Sequence, residues 1–323
     1  MKRHLRGVLN LDKPRGITSY DCIRRLKRVL SCPQSEIGNR KSEIPLGHAG
    51  TLDPMASGVL LILFGEATRL SRFLMASDKE YEAIVLFGRA TDTDDITGRI
   101  LGEAPVPEMN ASALRRLLTG FTGEQSQVPP RFSALKQDGT PMYRRARRGE
   151  EFEVKPRKVN ISELELLDWD PPTARLRVRV SSGTYLRALA RDVGRAAGTL
   201  ATLSGLVRTR SGRFAVENAL PLDKANQEAV AERIVSIEEA LPELPRIEVS
   251  EAQARLLLQG RLVETDPERK SEEREFCHLT PRSLDPLIPS CSEAFAATGS
   301  RKFLCLVRVH EGRVRPVRLI YAE

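Results

Sequence analysis

GHAGTLDPMASGVLLILF, residues 47–64, joins a glycine-bearing loop to an unbroken apolar run. Six consecutive apolar residues, Val59–Phe64, predict a strand that is covered on both faces. Asp53 lies in the loop just ahead of this strand, so a rigid element holds it in position. Gly47 and Gly50 allow the backbone to lie close to a ligand. The stretch therefore places one carboxylate where a buried strand can support it.

Asp53 also fits a purely structural interpretation. An aspartate directly before a proline is typical of a helix N-cap, with Pro54 at the first helical position. The two interpretations are compatible, because capping geometry also fixes the direction of the carboxylate. The local sequence alone leaves both open.

Strands and helices follow one another along the chain without an internal repeat, which predicts an α+β or α/β fold built on a large mixed sheet. Strands are predicted where apolar residues alternate or run together, and helices where they recur every three or four residues. The predicted strands include Gly7–Pro14, Lys79–Gly88 and Ala174–Ser181, and the predicted helices begin at Thr18 or Ser19, near Ala67, after Asn110 and at Tyr185.

A domain boundary is predicted at ALPELPRIEVS, residues 240–250, where two prolines separate a helix from a new strand. We expect one domain over residues 1–243 and a small β-rich domain over residues 244–323. Residues 264–297 are polar and proline-rich, which predicts a long loop inserted into the second domain.

The basic residues of the chain are clustered. The 323 residues include 51 Lys and Arg against 43 Asp and Glu, a net charge of +8. Residues 171–213 contain nine arginines and one acid, and residues 131–158 contain nine Lys or Arg and four acids. A clustered basic surplus indicates a polyanionic partner such as a nucleic acid. Residues 127–152 are poor in core residues and predict a loop with a short basic helix that leaves the main sheet.

Composition also bears on location. Five cysteines without a CxxC pair predict a reducing compartment and no disulfide framework. The N-terminus lacks an apolar segment of signal-peptide length, and no window has the roughly 20 apolar residues of a membrane span. We therefore expect a soluble cytoplasmic protein.

Two candidate metal sites fail on spacing. TDTDD, residues 91–95, is not a calcium loop because Ile96 and Thr97 stand where a ligand and a glycine are required, so a solvated turn is expected there. The cysteines and histidines of the C-terminal region fit no zinc pattern: Cys277, His278, Cys291 and His310.

Tyr81 and Tyr185 each fit two roles, since a strand tyrosine usually packs within a sheet. Tyr185 follows a glycine-bearing turn and lies two residues before Arg187, so that a ring and a guanidinium could stack on a base and pair with an acid. The sequence contains neither a Walker loop nor an HExxH motif. From the residues alone we infer a protein that binds nucleic acid and has one candidate catalytic carboxylate.

Six segments resemble the TruB family of tRNA pseudouridine synthases, of the bacterial stand-alone type. They span nearly all of residues 7–214 in the family's order, which makes the set specific although one segment alone would not be. The segments are GVLNLDKPRGITSYD, LGHAGTLDPMASGVLLILFGEATRL, DKEYEAIVLFGRATDTDDITG, PPRFSALKQDGTPMYRRARRGE, VSSGTYLRALARDVG and LVRTRSGRF.

The resemblance implies an α+β fold with a large mixed, mostly antiparallel sheet flanked by helices, followed by a small PUA-like RNA-binding domain. It also implies that the enzyme isomerises uridine 55 in the T loop of tRNA to pseudouridine: the glycosidic bond breaks, the ring turns, and it is rejoined through C5. The expected partner is the T arm of tRNA, and the enzyme is expected to act as a monomer without a metal or cofactor.

The resemblance further assigns roles to individual residues. Asp53 is the nucleophile, Arg187 is its ion-pair partner, Tyr81 stacks on the flipped base, and Tyr185 lies beside the uracil as a candidate for removal of the C5 proton. The other matches are substrate-binding positions: His48 near the flipped nucleotides, Leu206 as an apolar wall, Lys13 and Pro14 behind the Asp53 loop, and Arg131, Lys136 and Tyr143 in the basic segment 127–158, which resembles a thumb that clamps the T arm.

Two other functions fit the same residues. An RNA-folding chaperone that binds tRNA would keep its effect on cell fitness and tRNA folding when Asp53 is replaced by Asn. A guide-RNA-dependent relative from archaeal and eukaryotic ribonucleoproteins would carry Lys-rich terminal tails and would lack the thumb-like segment.

Overall fold

The computed structural model describes residues 5–30, 44–137, 139–244, 246–264, 293–297, 303–310 and 313–322. The strands, in chain order, are β1 (Gly7–Lys13), β2 (Leu46–Ala49), β3 (Ser57–Phe64), β4 (Lys79–Phe87), β5 (Arg89–Thr91), β6 (Ile100–Glu103), β7 (Gly123–Gln127), β8 (Lys136–Gln137), β9 (Thr140–Pro141), β10 (Arg157–Asp170), β11 (Thr173–Val180), β12 (Ala201–Ser211), β13 (Phe214–Ala215), β14 (Leu220–Pro221), β15 (Ile234–Val235), β16 (Arg246–Glu248), β17 (Val263–Glu264), β18 (Glu293–Ala297), β19 (Phe303–His310) and β20 (Arg313–Ala322).

The helices alternate with these strands. The α-helices are α1 (Ser19–Leu30), α2 (Ser71–Ala76), α3 (Ala111–Thr119), α4 (Met142–Arg147), α5 (Leu186–Ala196), α6 (Gln227–Arg233), α7 (Ile237–Ala240) and α8 (Glu251–Leu258), and short 3-10 helices cover Gly65–Leu70, Val216–Asn218 and Leu222–Lys224. The helix predicted near Ala67 thus begins as a 3-10 helix and continues as α2.

Eleven strands form one sheet, whose main path runs β14-β1-β3-β12-β4-β11-β10-β7. Its pairs are antiparallel except for β1 with β14 and β3 with β12. A second sheet has the order β16-β18-β19-β20-β17. The expected fold class, a large mixed and mostly antiparallel sheet with helices and a C-terminal β-rich region, is confirmed.

Strand β3 is buried along most of its length because its two faces meet different cores. Leu60 and Ile62 lie in the main core, which α1, α3 and α5 complete. Leu61 and Leu63 lie in a second core together with Phe295 of the C-terminal sheet. Full burial of such a side chain contributes about 1.5–3 kcal/mol of transfer free energy. The apolar run is therefore explained by a sheet that is covered from both sides.

The predicted loop over residues 264–297 is only partly described. Its first residue, Glu264, belongs to β17, and its last five form β18, so both ends are strand rather than loop. Strand β18 buries Phe295 and pairs with β16 and β19, which explains why this end is ordered into the sheet. Cys277, His278 and Cys291 lie outside the described residues, and the boundary at residue 243 stays a prediction.

The arginines of β11 point to one face of the sheet, as their alternation predicted. There they meet acids of the neighbouring strands: Arg177 lies between Glu82 of β4 and Glu165 of β10, and its NH1 is 2.8 Å from the Glu165 carboxylate. Opposite charges across strands stabilise a sheet modestly. Part of the basic surplus of residues 171–213 is thus neutralised by acids that are distant in the sequence.

Candidate active site

The Asp53 loop, residues 52–56, forms a tight turn that leads directly into β3. The Ala56 N–H donates to the Asp53 carbonyl at 3.0 Å, and the strand begins at Ser57. The interpretation of Asp53 as a helix N-cap is therefore wrong, because the turn after it continues into a strand and not into a helix. Its carboxylate is left to bind other partners.

Every backbone carbonyl of the Asp53 loop accepts a hydrogen bond. Apart from the turn itself, the donors lie between β1 and the first turn of α1. Ser19 Oγ donates to Leu52 at 3.1 Å, the Gly16 N–H to Pro54 at 2.8 Å, Arg15 Nε to Met55 at 3.1 Å, and Lys13 Nζ to Ala56 at 2.6 Å. Satisfied carbonyls restrain the backbone, so the loop has its position before any ligand binds.

The first turn of α1 resolves which residue caps that helix. Thr18 Oγ1 accepts from the Asp21 N–H at 3.1 Å, and the Asp21 carboxylate accepts from the Thr18 N–H at 2.9 Å, as in a capping box. Ser19 is therefore available to the Asp53 loop, where its hydroxyl also accepts from the Leu52 N–H at 2.9 Å.

Asp53 and Arg187 form a two-point ion pair. Arg187 Nε is 2.9 Å from Asp53 Oδ2, and Arg187 NH2 donates to Oδ1 at 3.3 Å. The Arg187 side chain is 7% exposed and that of Asp53 is 34% exposed. The cation is thus enclosed by protein, while the acid keeps a face on which a ligand can bind.

The acidic turn over residues 91–95 is part of the same site, so the expectation of a solvated turn is wrong. Asp95 is buried, and its Oδ1 accepts from Thr93 Oγ1 at 3.0 Å and from the Thr97 N–H at 2.9 Å. Its Oδ2 is 3.8 Å from Arg187 Nε, and Arg187 NH1 donates to the Thr93 carbonyl at 3.1 Å. Arg187 therefore lies between two carboxylates.

A second ion pair extends this arrangement by one helical turn. Arg191 NH1 is 3.0 Å from Asp94 Oδ2, and Asp94 has a φ of 60°, which is uncommon for a residue other than glycine. Two arginines four residues apart on α5 face two consecutive acids. The spacing of Arg187 and Arg191 places both on one face of α5, but the sequence did not show that the acidic turn lies opposite them.

Opposing effects act on the Asp53 carboxyl. Burial raises its pKa, the neighbouring Arg187 lowers it, and the charge of Asp95 raises it again, with a net pKa above the ordinary aspartate value. Ionisation of Asp53 near neutral pH is therefore supported mainly by Arg187.

Of Lys13, Pro14 and His48, Lys13 contacts the Asp53 loop directly, through the Ala56 carbonyl. Lys13 is fully buried, burial lowers the pKa of its ammonium group, and its Nζ also donates to the Pro14 carbonyl at 3.1 Å. His48 lies in β2, where burial and the charge of Arg208 lower the pKa of the imidazole. His48 Nδ1 is buried and has no hydrogen-bond partner within the part of the chain that the structure describes.

The two predicted tyrosines occupy different surroundings. Tyr81 is buried in β4 and belongs, with Leu206, to the main core, which also contains Leu52 beside the nucleophile candidate. Burial raises the pKa of the Tyr185 phenol, and the Ser133 hydroxyl and the charges of Arg187 and Arg157 lower it. The roles of all these residues toward a base stay predictions.

The thumb, residues 127–158, holds the remaining predicted residues. It contains the short basic helix that was predicted, as α4. Arg131 NH2 donates to the Glu150 carbonyl at 2.8 Å, and the Arg147 guanidinium lies 5.6 Å from the centre of the Tyr143 ring. Arg131 and Tyr143 thus make these contacts inside the thumb rather than with Asp53, and Lys136 lies in β8.

Known proteins are similar in sequence to most of this chain. A protein of Gloeobacter violaceus described as tRNA pseudouridine synthase B is 45% identical over 270 residues, 82% of this chain and 88% of its own length. One of Pseudomonas fluorescens with the same description is 35% identical over 331 residues, 100% of this chain and 98% of its own. The chain belongs to the TruB family. The family model described as TruB family pseudouridylate synthase (N terminal domain) matches residues 40–186.

Solved structures share the fold of this chain. A chain of a Cbf5-Nop10-Gar1 complex superposes with a TM-score of 0.64 at 22% identity, covering 98% of this chain and 85% of that one. A chain of an H/ACA RNP bound to a substrate RNA containing 2′-deoxyuridine gives 0.63 at 21% identity, with 97% and 84% covered. At these identities the likeness concerns the fold alone.

In this member of the TruB family, Arg208 is a supporting residue that the sequence did not reveal. Its side chain is 1% exposed, and it donates through Nε to the Val59 carbonyl at 2.6 Å and through NH2 to the Gly50 carbonyl at 3.0 Å. One guanidinium therefore joins the two ends of the segment that contains Asp53. A Cβ at Gly58 would lie 2.3 Å from the Arg208 carbonyl oxygen, so only glycine fits there.

Neither a metal-binding cluster nor a membrane-spanning helix is present in the described part of this TruB chain. Within the described residues, no group of three or more His, Cys, Asp or Glu side chains is arranged to hold a metal ion. Over the same residues, none of the helices combines the length and the apolar character needed to cross a bilayer.

Proposed function

We propose that this protein converts uridine 55 in the T loop of tRNA to pseudouridine. The observation that carries the proposal is the Asp53–Arg187 pair, in which a buried guanidinium binds, at two points, an acid that remains open to a ligand. Membership of the TruB family supports the reaction, and the description of relatives as tRNA pseudouridine synthase B supports tRNA as the substrate.

The reaction is an isomerisation, so the substrate and the product contain the same atoms. The C1′–N1 bond of the uridine breaks, a C1′–C5 bond forms, the proton of C5 leaves, and N1 carries a proton in the product. Asp53 acts as the nucleophile and is released when the ring is rejoined. Since the bond broken and the bond formed are close in energy, positioning and electrostatics supply the catalysis.

The target base must first leave the RNA stack, which costs a few kcal/mol. Stacking on Tyr81 offsets about 1–3 kcal/mol of that cost. Tyr185, beside the uracil, assists the transfer of the C5 proton. Arg187 favours the ionised form of Asp53, which the partial burial of the carboxyl alone would oppose.

The remaining expectations complete the proposal. His48, Leu206, Lys13 and Pro14 shape the site for the flipped nucleotides, and the thumb binds the T arm through Arg131, Lys136 and Tyr143. The C-terminal sheet, beginning near residue 244, is a PUA-type RNA-binding domain. The enzyme acts as a monomer in the cytoplasm and uses neither a metal nor an organic cofactor.

Incubation with an unmodified T-arm stem-loop, followed by mapping of pseudouridine, tests the proposal. We expect product at the T-loop uridine and a rate loss on the order of 10⁴-fold or more for Asp53→Ala. Asp168→Asn, on the exposed face of β10, is the matched control and should retain full activity.

The other outcomes separate the alternatives. Product at a different uridine would overturn the assigned substrate and leave Asp53 in its role, whereas product formed by Asp53→Ala would overturn the site. An Asp53→Asn variant that keeps cell fitness and tRNA folding unchanged would favour the chaperone function.

A further inference from the structure

Helix α1 has a basic outer side to which the proposed reaction gives no role. The helix packs on the main core through its apolar residues, which occupy the opposite side. Its charged residues are four cations and one acid: Arg24, Arg25, Lys27, Arg28 and Asp21. The three arginines are exposed, so most of this positive charge is directed away from the core.

An exposed aromatic ring lies on the same side of α1. Tyr20, Arg24 and Arg28 follow one another at intervals of four residues, which places them along one side of the helix. Tyr20 is 65% exposed, and the Arg24 guanidinium lies 5.9 Å from the centre of its ring. A single exposed apolar group is ordinary, but a ring beside a guanidinium is a surface on which RNA bases stack.

Two of the arginines of α1 are available to bind phosphate. Arg24 forms an ion pair with Asp21 in the same turn, whereas for Arg25 and Arg28 no ion pair is found among the residues that the structure describes. An exposed guanidinium whose charge is not neutralised by an acid suits the oxygens of a phosphate group. The charge of this side of α1 is therefore complementary to an RNA backbone.

This side of α1 begins beside the Asp53 loop. Residues 13–19 donate four hydrogen bonds to the carbonyls of that loop, the last of them from Ser19 to Leu52. Tyr20 is the next residue of the chain. From Tyr20 to Arg28 the helix rises about 12 Å, at 1.5 Å per residue. Nucleotides adjoining a base that is bound at Asp53 therefore come within reach of this side of the helix.

The α1 face consists of Tyr20, Arg24, Arg25 and Arg28. We propose that the α1 face is an RNA-binding surface that binds the nucleotides of the T arm next to the flipped uridine. Tyr20 stacks on a base, and Arg25 and Arg28 bind phosphate groups. The proposal rests on the proposed function, which supplies the T arm as the ligand. The thumb and the α1 face then both contribute to RNA affinity rather than to the chemical step.

The Kd for an unmodified T-arm stem-loop, measured over a range of salt concentrations, tests both kinds of contact. Combined Arg25→Ala and Arg28→Ala should weaken binding about 5–20-fold at low salt and reduce the slope of log Kd against log salt by about one to two units. Tyr20→Ala should weaken binding by a similar factor with the slope unchanged, and Tyr20→Phe should bind like the parent protein. Single-turnover rates at saturating RNA should stay within about twofold of the parent rate.

The matched control removes two exposed arginines from α3. Combined Arg115→Ala and Arg116→Ala should change neither the Kd nor its salt dependence. Equal effects of the two double variants would overturn the proposal, because net charge alone would then account for the loss. A loss confined to full-length tRNA would overturn the assignment to the T arm.

Two further outcomes complete the test. Unchanged RNA binding, together with binding to phosphatidylserine vesicles that depends on Arg25 and Arg28, would assign the α1 face to a membrane surface and overturn the proposal. If the parent protein forms no pseudouridine in the stem-loop, the proposed function fails and this proposal with it. Unchanged Kd values for the α1 variants of an active enzyme overturn this proposal alone.

Discussion

In the Asp53 loop, every carbonyl accepts a hydrogen bond, and four of the five donors belong to residues 13–19, whereas the hydrogen bonds of the thumb are largely internal. Within the thumb, Arg145 binds both Glu150 and Gln137, and Arg131 binds the Glu150 carbonyl. The guanidinium groups of Arg131 and Arg145 lie 5.0 and 4.9 Å from the centre of the Phe152 ring.

This difference indicates that the Asp53 loop and the thumb have separate roles. The main core specifies the position of the Asp53 loop, so the proposed nucleophile is preorganised, as electrostatic catalysis requires. The thumb is a segment with mostly internal contacts, and it is connected to the main sheet at Gln127 and Arg157. Changes in the supports of the Asp53 loop should therefore alter the rate at constant RNA affinity, and changes in the thumb surface should alter RNA affinity at constant rate.

The largest effect is expected from the charges that act on Asp53. Arg187→Gln should lower the single-turnover rate by about 10²–10³-fold. Activity requires the ionised carboxylate, so it falls as pH decreases through the pKa of Asp53. Loss of the cation raises that pKa further, and the acid limb of the pH–rate profile should move to higher pH.

Asp95→Asn should move the same limb in the opposite direction, to lower pH, because the charge of Asp95 raises the pKa of Asp53. Single-turnover rates measured over pH for both variants test the pair of shifts. If the acid limbs of both variants moved in the same pH direction, this would contradict the opposing effects of Arg187 and Asp95 on the pKa of Asp53.

An intermediate effect is expected at Arg208, which joins the two ends of the Asp53 segment. Arg208→Met leaves the carbonyls of Gly50 and Val59 without their donor and should lower the free energy of unfolding by about 2–4 kcal/mol. Displacement of the loop should reduce the rate by about 10–100-fold, with the Kd for RNA unchanged.

Urea unfolding and single-turnover assays measure these two effects. Arg210→Met, at an exposed position of the same strand, is the control and should behave like the parent protein. A loss of RNA affinity without a loss of rate in Arg208→Met would argue against a supporting role for this residue.

The smallest effects are expected at exposed arginines, where one arginine of the thumb can be compared with one of the main sheet. Arg131→Ala in the thumb should weaken RNA binding several-fold and reduce the slope of log Kd against log salt by about one unit. Arg177→Ala on β11 removes a cation that is paired with Glu165, so RNA affinity should not change and stability should change by less than about 0.5 kcal/mol. If both variants weaken binding equally, the number of basic residues matters rather than their location.

Much of the fold could be predicted because its causes are local. Asn110 caps α3 by accepting from the Ala113 N–H at 2.9 Å, and the alternation in Ala174–Ser181 matches a strand with one polar face. The motifs also pointed to Asp53 and Arg187, which the structure brings into contact. The helical spacing of Arg187 and Arg191 was equally visible, but the sequence did not show that the acids facing them were buried.

The sequence by itself determined most of the strands and helices, the basic segment and one candidate catalytic carboxylate, because periodicity, capping and local composition depend on residues a few positions apart. The role of nucleophile for that carboxylate came from the resemblance to the TruB family. Only the tertiary structure decided which charges meet. Arg187 and Asp53 are 134 positions apart, and Arg208 and Gly50 are 158 apart. Hydrogen bonds act over about 3 Å, so partners this distant along the chain are selected by the packing of the sheet. The same packing left Arg177 with a neighbouring acid and Arg187 with the acid of the site.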